Sequence, residues 1–76
     1  MPPLPLLRPK DVIKVFQSFG FSVARRKGSH IVMIKKGHIA TLSIPEHDYV
    51  ARGTLRSLIQ KAGITEESFL RKYYSQ

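Results

Sequence analysis

The chain contains no cysteine. Disulfides and thiolate metal sites are therefore excluded, and stability has to come from packed helices and strands. Acids are scarce, with five Asp and Glu against thirteen Lys and Arg. Four of these carboxylates (Glu46, Asp48, Glu66, Glu67) lie in the second half of the chain and form no metal-binding pattern, and neither HExxH nor a glycine-rich phosphate loop is present. A metal-dependent nuclease is not expected on these grounds, and no cofactor or metal is called for. Long apolar runs are also lacking. The opening Met1-Pro2-Pro3-Leu4-Pro5-Leu6-Leu7 is too short and too proline-rich for a signal peptide or membrane span. Residues 1–8 are expected to form a flexible or polyproline-like leader. With no export signal or membrane segment, the cytoplasm is the expected location.

What is present is positive charge in a short chain. Seventy-six residues allow one domain, expected over residues 9–76, with a thin core. The net charge is +8. Residues 1–38 hold eight Lys/Arg and one acid, whereas residues 39–76 hold five and four. Such a balance suits either a well-solvated surface or one that receives a polyanion, most simply nucleic acid.

The pattern along the chain predicts a helix over 9–19, opened by Pro9 and striped by Val12, Phe16 and Phe19, with Gly20 as its stop. Residues 21–26 alternate as a half-buried strand. Residues 30–36 read as a second strand, apolar on both faces. Lys36-Gly37-His38 is expected as a tight turn into a third strand over 39–44, with Ala40, Leu42 and Ile44 inward and Pro45 closing it. Residues 46–52 have no period and read as a loop. Gly53 or Thr54 is expected to cap a second helix with Leu55, Leu58, Ile59 and Ala62 on one face, ended by Gly63. Thr65 caps a short last helix. Strands flanked by helices predict an α+β fold, with the helices on one face of a three-stranded antiparallel sheet.

The chemistry concentrates at Arg25-Arg26-Lys27-Gly28-Ser29-His30. Three cations lead into a Gly-Ser turn, and the turn delivers an imidazole to the start of an apolar run. The charge attracts phosphate, and free imidazole titrates near neutral pH. RNA is cut without metal when its own 2′-hydroxyl attacks the phosphorus, given a base, an acid and positive charge. An ordinary histidine at the start of a strand fits the same residues. Arg56 can serve a phosphate together with the Gly53 and Thr54 N–H groups, or be a plain surface arginine. Tyr49 can stack on a base or pack into the core.

Lys27-Gly28-Ser29-His30 ahead of a β-like run, with Arg52-Gly53-Thr54-Leu55-Arg56-Ser57-Leu58 and Ala62-Gly63-Ile64 downstream, resembles the HicA toxins. These are small ribonucleases of bacterial and archaeal toxin–antitoxin pairs, and the resemblance spans roughly residues 8–70. It implies a double-stranded-RNA-binding-domain-like fold and a metal-independent endoribonuclease toxin that cleaves mRNA. His30 falls on the family's catalytic histidine, as general acid or base. Arg25, Arg26, Lys27, Gly28, Ser29 and Arg56 are the candidate RNA-binding residues. The implied partner is an acidic HicB-type antitoxin covering the active surface. Many members carry a second histidine directly after the first, and here that position is Ile31. The second proton-transfer group is thus unassigned, with His38 and His47 the remaining histidines. The alternative is a non-catalytic double-stranded RNA-binding module, whose cations would cluster at the start of the last main helix, where Arg52 and Arg56 lie.

Overall fold

The computed structural model describes residues 3–76. In chain order it contains α1 (Pro9–Ser18), β1 (Ser22–Lys27), β2 (His30–Ile34), β3 (Leu42–Pro45), α2 (Arg52–Ala62) and α3 (Glu66–Tyr74). The strands form one antiparallel sheet in the order β1-β2-β3. The architecture is the α+β arrangement that the helix and strand periodicities imply.

Each helix is bounded by local chemistry. Pro9 opens α1, and Val12, Val15 and Phe16 are buried along one stripe. The chain turns back through Phe21, whose N–H donates to the Phe16 carbonyl at 3.1 Å. The two rings then meet edge to face at 6.0 Å, so the bond that ends the helix also seals its apolar face. α2 ends the same way. Gly63 has φ 75°, and the Ile64 N–H donates to the Ile59 carbonyl. Its start differs from expectation: the helix begins at Arg52, with Ala51 at the cap position and no side-chain cap. Gly53 and Thr54 lie within its first turn. In α3 the Thr65 hydroxyl accepts from the Ser68 N–H at 3.0 Å. Glu66 and Glu67 sit in its first turn and Arg71 and Lys72 in its last, matching the helix dipole.

The core lies between the helices and one face of the sheet. Met33, Leu42 and Ile44 from the strands meet Phe16, Leu55, Ile59 and Phe69 from the helices. β1 is not the half-buried strand expected over 21–26, because all six of its residues are exposed. It is the edge strand, while α1 and α2 pack on β3 at the opposite edge. β3 starts at Leu42 rather than at residue 39. Leu42 and Ile44 point inward as expected, but Ala40 is half-buried in the preceding loop and Ile39 is fully exposed. The cause is His38, whose Nε2 donates to the Lys61 carbonyl at 2.7 Å and whose ring stands edge-on to Phe21. That contact draws the chain out of the ladder towards the end of α2.

The flexible leader expected over residues 1–8 is packed where it is described, and Met1 and Pro2 lie outside the described residues. Leu4 and Leu7 belong to the core cluster. Leu7 bridges Val50, and the Arg52 Nε donates to the Leu4 carbonyl at 2.6 Å. Burying two leucine side chains more than offsets the ordering of a proline-restricted segment that has little freedom to lose.

Candidate active site

The β1–β2 hairpin turns in two residues, Gly28 and Ser29, between the paired Lys27 and His30. Gly28 has φ 59°, and among the described residues no non-glycine residue has positive φ. A glycine at the first central position is what a type II′ hairpin requires, and that turn matches the twist of the flanking strands. A local rule of backbone geometry thus puts His30 at the first position of the central strand.

Register then decides what surrounds it. Directly opposed residues in antiparallel strands share a face of the sheet. His30 is opposed by Lys27 on one side and Pro45 on the other. The next row of that face is Arg25, Val32 and Ser43. Ile31, Met33, Leu42 and Ile44 occupy the other face and are buried in the core. His30 is therefore exposed on the helix-free face of the sheet, with Lys27 beside it and Arg25 one row along. Ala24, at the irregularity between Val23 and Arg25, shifts the register and sets this alternation.

Arg26 is placed differently from its two neighbours. It is opposed to Ile31, on the helix side, and its guanidinium donates to Glu46 in an exposed ion pair. The Glu46 N–H also donates to the Ser29 carbonyl at 2.7 Å. One residue after β3 thereby ties down both the third cation and the turn. Glu46 is the residue at this hairpin that sequence reasoning missed. Its only signal was its position directly after the strand-closing Pro45.

Arg56 is not brought to the hairpin. It lies on α2, and its Nε donates to Glu66 at 3.1 Å, linking α2 to the start of α3. Arg52 is likewise engaged, with the Leu4 carbonyl. His38 holds the end of α2 as described, rather than standing free in solvent. His47 is exposed in the loop after β3 and lines a shallow depression with Arg8, Lys10 and Asp48. Tyr49 is half exposed and absent from the core cluster, which removes the core-packing reading of it. Among the described residues no group of three or more His, Asp or Glu is placed to hold a metal ion. No helix among them is long and apolar enough to cross a membrane.

The arrangement offers an exposed imidazole and two cations on one sheet face, beside a turn whose backbone is fixed. Chemically it can receive a phosphodiester and move a proton next to it. Comparison with curated proteins gives no match. Residues 9–64 match the family described as the HicA toxin of bacterial toxin–antitoxin systems. That stretch is well over half of the chain and includes the whole hairpin, and the chain belongs to the HicA toxin family as the toxin component of a toxin–antitoxin system.

Proposed function

We propose that this toxin is a metal-independent endoribonuclease acting on mRNA, with His30 as its general acid or base. The observation that carries the reading is the row Lys27–His30–Pro45 on the open face of the sheet. His30 accepts the proton from the 2′-hydroxyl as that oxygen attacks the adjacent phosphorus. The bond from phosphorus to the 5′-oxygen breaks, leaving a 2′,3′-cyclic phosphate and a 5′-hydroxyl. The leaving oxygen takes its proton from a second donor, which in this chain is not the residue after His30, since that is Ile31. Lys27 and Arg25 offset the charge that builds on the phosphorane oxygens, and the Gly28–Ser29 backbone holds the non-bridging oxygen side. Arg26, paired with Glu46, serves RNA only by giving up that exposed pair, which is worth at most about 1 kcal/mol.

The competing reading, a double-stranded RNA-binding module, requires free cations at the start of α2. Arg52 is held by the Leu4 carbonyl, and Arg56 is free for RNA only by giving up its exposed pair with Glu66. Arg25 and Lys27, on the same sheet face as His30, make no ion pair among the described residues, which favours the enzyme. Within this proposal residues 9–76 act as one toxin domain, with Leu4 and Leu7 packed into its core, and the site of action is wherever mRNA is translated. A HicB-type antitoxin would silence the toxin by covering the open face around His30. The test is cleavage of RNA in excess EDTA with analysis of the product ends. The proposal expects undiminished cleavage and 2′,3′-cyclic phosphate termini. Loss of cleavage in EDTA, or 3′-hydroxyl ends, would overturn it.

A further inference from the structure

The loop between β3 and α2 is pinned at both ends. At its start the Glu46 N–H donates to the Ser29 carbonyl at 2.7 Å, in the turn that precedes His30. At its end the Val50 N–H donates to the Leu7 carbonyl, also at 2.7 Å. The second anchor comes from Leu7, a buried residue outside the stretch matched to the family. Between the two anchors run only His47, Asp48 and Tyr49, so the loop has little room to move.

Tyr49 is the unusual member. It is half exposed and takes no part in the core cluster. It is not loose either. The Arg8 guanidinium stacks over its ring at 4.9 Å from the centroid. Such a cation fixes the ring and covers one side while leaving the exposed part of the aromatic surface available. Arg8, Lys10 and His47 line the depression beside it. The nearby carboxylates are Glu46, already paired with Arg26, and Asp48. Arg8 and Lys10, from the start of α1, bring positive charge to this depression, which Asp48 lines as well.

We infer that Tyr49, braced by Arg8, is a base-stacking subsite that holds an unpaired nucleotide of the RNA within a few positions of the phosphodiester presented to His30. The inference rests on the ribonuclease reading above and assigns to it a substrate class, single-stranded RNA. The extended chain covers at most about 3.6 Å per residue, so the Tyr49 backbone lies no more than about 14 Å from Pro45, the residue opposed to His30 on β3. A nucleotide within a few positions of the scissile bond can reach it. Stacking on an aromatic ring is tolerant of sequence but requires a base that is not already stacked in a duplex. A rigid ring also binds at low entropic cost, since neither the side chain nor the loop has to be ordered on binding.

The test uses the full chain carrying His30→Ala, so that RNA is bound without being cut, and a fluorescently labelled single-stranded oligonucleotide read by anisotropy. In that background Tyr49→Ala is expected to weaken binding about 5- to 150-fold, the range typical of one lost base–aromatic stack. Tyr49→Leu, which keeps apolar bulk without a π face, should lose as much. Tyr49→Phe should bind like the parent. The same sequence annealed into a duplex should bind equally to all four proteins. Thermal melts of each variant establish that it is folded, as the position outside the core predicts. Several outcomes would overturn the inference: Tyr49→Leu binding within twofold of the parent, equal losses for Tyr49→Phe and Tyr49→Ala, equal losses on duplex and single strand, or no binding of the single strand by the parent. These results are independent of the chemistry. A metal requirement for cleavage would sink the mechanism while leaving the stacking result standing, and unchanged binding on loss of the ring would sink the subsite alone.

Discussion

Lys27 and His30 are directly opposed across the hairpin, the last pair of the β1–β2 ladder before Gly28 and Ser29 reverse the chain. The pairing fixes the imidazole and the ammonium group on the same side of the sheet. Their relationship depends on the turn more than on any side-chain contact, and it can be perturbed from the backbone.

Gly28 is the position to perturb. A Cβ there would meet nothing within 4 Å, but the residue has φ 59°. Gly28→Val is therefore expected to destabilise through backbone strain alone, by about 1–2 kcal/mol. Urea denaturation should show the loss with an unchanged m-value. Because the strain falls next to His30, RNA cleavage by the folded variant should drop further than the stability change explains. A Gly28→Val protein as stable and as active as the parent would show that the turn does not position the site.

Leu7 tests the docked leader. Its side chain is almost fully buried and its carbonyl anchors Val50. Leu7→Ala should cost about 2–5 kcal/mol, the usual range for emptying a core leucine site. That is a large part of the total stability of so small a domain. A flexible leader would instead give a change of a few tenths, and a urea midpoint equal to that of the parent would restore that picture.

His38 separates structure from chemistry among the histidines. Removing its ring breaks the bond to the Lys61 carbonyl and the edge contact with Phe21. Each contact is worth about 0.5–1.5 kcal/mol, so His38→Ala should lower stability by about 1–3 kcal/mol. Cleavage by the folded variant should match that of the parent. A folded His38→Ala protein without activity would make His38 part of the proton transfer.

Much of this was legible in the sequence. The stripe Val12–Phe16 and the face Leu55–Leu58–Ile59–Ala62 announced the helices because 3.6-residue periodicity is a local signal. The Gly-Ser pair between two β-like runs announced the hairpin, since only two residues were available to turn the chain. The exposure of β1 was not legible. Alternation along residues 21–26 says nothing about which strand becomes the edge, which is decided by where the helices pack. The leader was misread because Leu4 and Leu7 are too few to form a period and sit among prolines. Contacts between residues far apart in sequence also escaped: Arg26 with Glu46, His38 with Lys61, Arg56 with Glu66. These three contacts reorder the candidate site. They leave Arg25, Lys27 and His30 together and take Arg56 and His38 away from it.

The most direct measurement is RNA cleavage by His30→Ala, assayed in EDTA beside the parent protein and a thermal melt of both. His30 is exposed on the open face of the sheet, so its truncation should change stability by no more than about 0.5 kcal/mol. Loss of a general acid or base is typically worth about 10²–10⁴ in rate. The account predicts a variant that melts with the parent and cleaves at least a hundredfold more slowly. A folded His30→Ala protein that cleaves at the parental rate would contradict it.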